Sequence, residues 1–189
     1  LKATTTVNKN GNCFREELVE IYFQSDVSHL LYEVYIDKPG IIKVEDLCEI
    51  DKKNNRSPMK WSTYSTSETN LMLFLIFSVI KKKGMTTKYY SKVYAENFLS
   101  NLIEFGTGRF PFGLPESVRV KNLFETYKFP NTQKFKNIKA TIFNHPEKDK
   151  KNKIFQAKEA GEELILEIDY SFSNIKNSRS CEILTDFKL

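Results

Sequence analysis

Few side chains in this chain of 189 residues have the type and spacing that chemistry requires, and they are scattered. There are two histidines, His29 and His145. A nucleophile–histidine centre needs one of them beside a positioned Ser or Cys and a carboxylate, but no G-x-S-x-G turn presents a serine. His29 falls within the apolar run His29-Leu30-Leu31, which predicts a core or semi-buried structural residue, whereas His145 opens a charged, exposed loop. Carboxylates cluster at Glu16, Glu17 and Glu20, at Glu45, Asp46 and Glu49, and at Glu162 and Glu163. Such pairs can act as acid and base or hold a divalent ion. Each cluster sits next to a turn or strand end, where solvated charge is expected. Glu167 and Asp169 share one face of a strand, yet no companion lysine and upstream acid complete a nuclease-like metal site.

Cys13, Cys48 and Cys181 are widely spaced and include no C-x-x-C pair, so a four-ligand zinc site is poorly supplied. Three buried reduced thiols are the expectation. Gly106-Thr107-Gly108-Arg109 resembles a phosphate loop only superficially, because no Gly-Lys-Ser/Thr follows. No cofactor and no metal site is read, and the chain is taken as non-enzymatic.

Charge is distributed unevenly. The net charge is +5, but residues 106–158 hold 12 Lys/Arg against 4 Asp/Glu, and residues 159–189 hold 3 against 7. Lys134, Lys136, Lys148, Lys150, Lys151 and Lys153 lie in the basic stretch, interleaved with Phe124, Tyr127, Phe129 and Phe135. Lysines that pair phosphates and aromatics that stack on bases are what a single-strand or RNA contact would need. Solvated lysines over core aromatics would give the same pattern. Just upstream, Arg109, Phe110 and Phe112 lie in a Gly/Pro-punctuated segment, 106–115, read as a structured loop that could project an anchor into a partner.

The elements that must position these residues are strands at both ends and helices between. Period-two alternation predicts strands near 19–24, 30–36, 41–47, 138–143, 154–158, 164–172 and 181–187. The uninterrupted run Leu71-Met72-Leu73-Phe74-Leu75-Ile76-Phe77 predicts a helix over 68–83. Ser65 to Glu68 supplies a capping box, Lys81, Lys82 and Lys83 face the negative end of its dipole, and Gly84 stops it. Three- and four-residue spacing of Tyr90, Val93, Tyr94, Phe98, Leu102 and Phe105 predicts a second helix over 87–105, ended by Gly106. The apolar run is about half the length that crosses a bilayer, so no membrane span is read.

These readings give a single α+β domain over 1–189, with antiparallel strands from both chain ends packed around a central antiparallel helical hairpin. A β-sandwich with a helical insertion is the alternative. With no initiating Met, the chain reads as a fragment or processed piece of a larger protein, and its thiols and lack of a signal segment suggest an intracellular setting, cytoplasm or nucleus. The expected function is a protein-interaction or assembly domain in a larger complex, whose partner is another protein chain. The alternatives are RNA or DNA binding through 106–158, and carriage of an apolar ligand between the sheets.

Overall fold

The computed structural model describes residues 1–113, 122–145, 153–171 and 182–189. Among them, fifteen strands and one six-residue helix make a layered β structure. An eight-stranded sheet runs in the order β13 (Lys158–Ala160), β14 (Glu163–Ser171), β10 (Asn122–Pro130), β1 (Lys2–Val7), β2 (Cys13–Tyr22), β8 (Thr86–Ala95), β4 (Ile42–Ile50), β5 (Arg56–Pro58). Its pairings are antiparallel except β1 with β10, which is parallel. A three-stranded sheet holds β3 (Val27–Tyr35), β7 (Asn70–Lys81) and β6 (Lys60–Ser67). A four-stranded sheet holds β12 (Lys153–Gln156), β11 (Lys139–His145), β15 (Glu182–Lys188) and β9 (Thr107–Gly113). The helix α1 (Ser100–Phe105) precedes β9.

The large sheet supplies one inner face to two apolar cores. Val19, Ile21 and Tyr89 meet Leu30, Leu73, Leu75 and Phe77 of the three-stranded sheet in one core. Tyr127, Phe129, Leu164, Leu166 and Ile168 meet Ala140, Phe155 and Phe187 of the four-stranded sheet, with Leu99 and Leu102 of the α1 region, in the other. Each fully buried Leu, Ile or Phe contributes roughly 1.5–3 kcal/mol, so these side chains hold the layers together. In β2 odd residues are buried and even ones exposed along its whole length.

The central helical hairpin is not formed. The segment expected as a helix over 68–83 is the turn Glu68-Thr69 followed by β7, the middle strand of its sheet. A continuous apolar run suits a buried strand as well as a buried helix. In β7, Leu73, Leu75 and Phe77 point into the core, while the other face is also apolar, with Ile76 40% and Ile80 56% exposed. Two apolar faces erase the period of two. The supposed cap is a hairpin feature: the Ser65 hydroxyl donates to the Ser67 carbonyl at 2.6 Å. Gly84, at φ +86°, turns the chain from the three-stranded layer into the eight-stranded one.

The segment expected as a second helix, 87–105, is β8 followed by the short α1. Here the inner face of the strand is partly polar (Thr87 and Ser91 are buried) and the outer face carries Tyr90 and Tyr94. Polar-in and aromatic-out inverts the usual strand pattern and leaves an apparent helical spacing. The fold is therefore mostly β and not α+β, and the sandwich alternative loses its helical insertion for the same reason. Gly106 does cap α1 in the left-handed region, at φ +73°, with its N–H on the Leu102 carbonyl. Segment 106–115, expected as a loop, contributes strand β9 over Thr107–Gly113. Among the described residues no helix is long and apolar enough to cross a membrane.

Candidate functional site

Strand β9 is an edge strand of the four-stranded sheet. The Leu189 N–H donates to the Gly106 carbonyl at 2.9 Å, so the hydrogen-bonded pairs with β15 fall on even positions of β9. Pro111, which has no N–H to give, stands at a non-bonded position opposite Leu184 and breaks no ladder bond. Phe110 pairs with Thr185 and Phe112 with Ile183 in this register, and Arg109 with Asp186. Thus the three residues singled out in the sequence share one edge strand.

Arg109 is exposed and lines an open groove of about 650 Å³ between α1, the start of β9 and the neighbouring sheet surface. Its other walls include Asp37, Asn101, Phe105, Thr107 and Lys188. Phe105, the last residue of α1, leaves 71% of its surface exposed, whereas Phe187 at the groove floor is buried. The Asn101 N–H donates to Asp37 Oδ2 at 2.8 Å. Half-burial nonetheless raises the Asp37 carboxyl above its ordinary range, with that hydrogen bond opposing the effect. Lys38 and Glu104 form an ion pair close by. Gly108 suits this close packing, because a Cβ there would stand 3.0 Å from the Leu102 Cβ.

Lys188 has a second role. It stands directly opposite Lys139 in the β11–β15 ladder, and both are exposed. Like charges directly opposite in a sheet destabilise it, and neither ammonium has an ion-pair partner among the described residues. Arg109 and Lys188 thus line the groove beside an exposed aromatic ring, and Lys139 stands across the ladder from Lys188. An arrangement of this kind can hold a carboxylate next to an apolar side chain. Sequence reading counts Lys139 in the basic stretch and Phe105 in the second helix without placing either at a site, and it misses Lys188. The register that joins positions 139 and 188 is a long-range pairing that no local pattern reports.

The other candidates are placed as follows. Lys134 and Lys136 are exposed in the turn before β11, on either side of the buried Phe135. Lys153 begins β12, and Lys148, Lys150 and Lys151 lie outside the described residues. Of the interleaved aromatics, Tyr127, Phe129 and Phe135 are buried and closed to a stacking base, while Phe124 is 39% exposed. His29 is exposed on the outer face of β3, its ring 6.4 Å from that of Phe74, and is not a core histidine. Cys13 and Cys48 are buried free thiols, and burial pushes the Cys13 thiol up to about 12. Cys181 lies outside the described residues.

The carboxylate clusters divide by strand face. Glu16 and Glu20 point outward toward Lys92 and Lys88, both at 3.8 Å. Glu17 instead is buried, 4% exposed, and its Oε1 lies 2.5 Å from Arg15 Nε. The Arg15 guanidinium also reaches Thr5 Oγ1 at 2.8 Å and Glu125 Oε1 at 2.6 Å, and Ser91 and Tyr127 donate to Glu17 and Glu125. This network is enclosed and serves to satisfy buried charge. Beside it, between the eight- and three-stranded sheets, lies a cavity of about 40 Å³ lined by Arg15, Glu17, Ser91, Leu75 and Tyr89. That is room for roughly one water molecule. Among the described residues no three His, Cys, Asp or Glu side chains are grouped to hold a metal ion.

No family model matches the sequence, and no curated protein matches it. Solved structures do share its fold. An M1 zinc metallopeptidase from Deinococcus radiodurans aligns with 97% of this chain and 40% of its own, at TM-score 0.51 and 10% identity. A variant of that enzyme bound to a Tyr-Ser-Ala substrate aligns over the same shares, at TM-score 0.51 and 9% identity. A provisionally described protease from Parabacteroides distasonis aligns with 100% of this chain and 39% of its own, at TM-score 0.53 and 10% identity. The chain spans about two-fifths of the length of these structures, and at such identity the likeness is one of fold alone.

Proposed function

We propose that this chain is a non-enzymatic interaction domain that receives a segment of another polypeptide in the groove between α1 and β9. The observation that carries the reading is the meeting of Arg109 and Lys188 with the exposed ring of Phe105 around one open groove, with Lys139 opposite Lys188 in the sheet. Aromatic and Arg side chains are the residue types that anchor protein interfaces. The cations select a partner carrying Asp or Glu, and the Phe105 ring selects an apolar residue beside it. The structural neighbours carry this fold as about 40% of a longer chain, which accords with a β domain working against a second folded surface.

The 40 Å³ interior cavity lends no support to an apolar-ligand carrier. The buried state of Tyr127, Phe129 and Phe135 removes three of the rings on which a nucleic-acid surface would rely. The test is selection of a displayed random-peptide library on the folded chain, followed by calorimetry of the recovered peptides. Peptides pairing Asp or Glu with an apolar residue, with affinity lost in Arg109→Glu and Phe105→Ser, are the expected result. Recovery of no such peptide, or tight binding of single-stranded RNA through Lys139 and Lys188, would overturn the reading.

A further inference from the structure

Among the described residues the three sheets end in six edge strands: β13 and β5, β12 and β9, β3 and β6. An exposed edge is a template for another strand, and proteins blunt edges with short length, charge, proline or bulges. β13 and β5 are three residues long and charged, and β12 has four residues. β9 carries Arg109 and Pro111, and β3 has Glu33 and a bulge between Val27 and His29. β6 differs. It has eight residues, Lys-Trp-Ser-Thr-Tyr-Ser-Thr-Ser, no proline and a single charge, and its one irregularity lies near the hairpin turn. Among the described residues no strand pairs with its second edge. Trp61 is 45% exposed and Tyr64 65%.

We propose that β6 is a self-association edge, at which a second copy of this chain adds its own β6 antiparallel to make a continuous six-stranded sheet. The charges choose the occupant and the register. Antiparallel pairing about a two-fold axis normal to the sheet keeps the two faces continuous, so residues opposite each other share a face. Centring the axis on Tyr64 sets the two Tyr64 rings together, Ser62 opposite Ser67, which takes the ladder place after the bulge, and Lys60 beside the Glu68-Thr69 turn of the second copy, twice over. Lys60 and Glu68 are the only charges in residues 60–69, both are exposed, and neither has an ion-pair partner among the described residues. Centring on Thr63 would leave both unmatched. Past the bulge Glu68 sits in the turn, one place from the position that faces Lys60, at the strand end where an exposed lysine reaches it. On the outer face the join extends the apolar surface formed by Phe74 and Met72, the cross-strand neighbours of Ser62 and Tyr64, and by Leu31, opposite Phe74 on the far side of β7.

Sedimentation of the whole chain across micromolar concentrations tests this, with circular dichroism confirming that each variant is folded. The expected result is a concentration-dependent dimer. Lys60→Glu or Glu68→Lys alone weakens it about tenfold, the sum of two exposed pairs turned repulsive. The double variant Lys60→Glu/Glu68→Lys restores it, and Tyr64→Asp, which sets two carboxylates at the axis, abolishes it. A chain that stays monomeric throughout, or a dimer indifferent to all these changes, overturns the proposal. Because the edge and the Arg109 groove involve different residues, the failure of one leaves the other standing.

Discussion

Arg15 on β2 and Glu125 on β10 are 110 positions apart in sequence, yet Arg15 Nη2 and Glu125 Oε1 stand 2.6 Å apart across the strand that separates them. That strand is β1, whose Thr5 hydroxyl accepts from the same guanidinium. Three strands are thereby tied at one point of the inner face. A slip of one residue in β2 would send Arg15 and Glu17 to the outer face, so the network also specifies the register. It lies where the two apolar cores adjoin beneath the large sheet.

Arg15→Met leaves two carboxylates buried without their cation, and a loss of about 3–5 kcal/mol is expected from the urea midpoint. Replacing Glu17 and Glu125 by Leu in the same protein removes the stranded charges and recovers most of that loss. If the single and triple variants unfold together, the network carries no such weight.

Alkali should weaken the fold. Burial pushes the Cys13 thiol up to about 12 and holds the Tyr89 and Tyr127 hydroxyls well above their ordinary value, with the neighbouring Glu17 and Glu125 charges adding to the tyrosine shifts. For an acid whose folded pKa is raised, the native state binds more protons than the unfolded one. Stability therefore falls as pH rises from the unfolded value of about 9 toward 12. Thermal midpoints should drop across this range, and Cys13→Ala should flatten the early part of the slope. In the native protein at pH 8, Cys13 should react with a thiol reagent only as fast as the chain unfolds.

Much of the strand content is legible from alternation because one face of each such strand is apolar and the other polar, as in β14, where Leu164, Leu166 and Ile168 are buried and Glu167 and Asp169 exposed. The centre of the chain is not legible, for two opposite reasons. β7 is apolar on both faces, and β8 buries Thr87 and Ser91 against Glu49 and Glu17 while its outward tyrosines, Tyr90 and Tyr94, are only half-buried. In each case tertiary partners decide which face is inside, and those partners lie in other strands. The groove is legible only in part. Arg109 stands out beside its glycines and proline, but Lys188 and Lys139 come together only through sheet pairing.

Two glycines with positive φ should respond differently to alanine. At Gly11, φ +84°, a Cβ would meet the Leu99 carbonyl group and the Ser100 nitrogen at 3.0 Å, all backbone atoms that cannot swing aside. At Gly161, φ +64°, nothing lies within 4 Å. Gly161→Ala should cost about 1 kcal/mol from conformation alone, and Gly11→Ala should cost clearly more, on the order of 2–3 kcal/mol. Equal midpoints in denaturant would contradict the close approach of the Gly11 turn to α1.

The measurement closest to the central claim is an amide chemical-shift titration of the labelled chain with a library-selected peptide that pairs Asp or Glu with an apolar residue. Shifts clustered at Asp37, Asn101, Phe105, Thr107–Arg109 and Lys188, absent in Arg109→Glu, are the predicted result. Shifts that fall elsewhere, or that persist unchanged in Arg109→Glu, would contradict the groove as the partner-binding site.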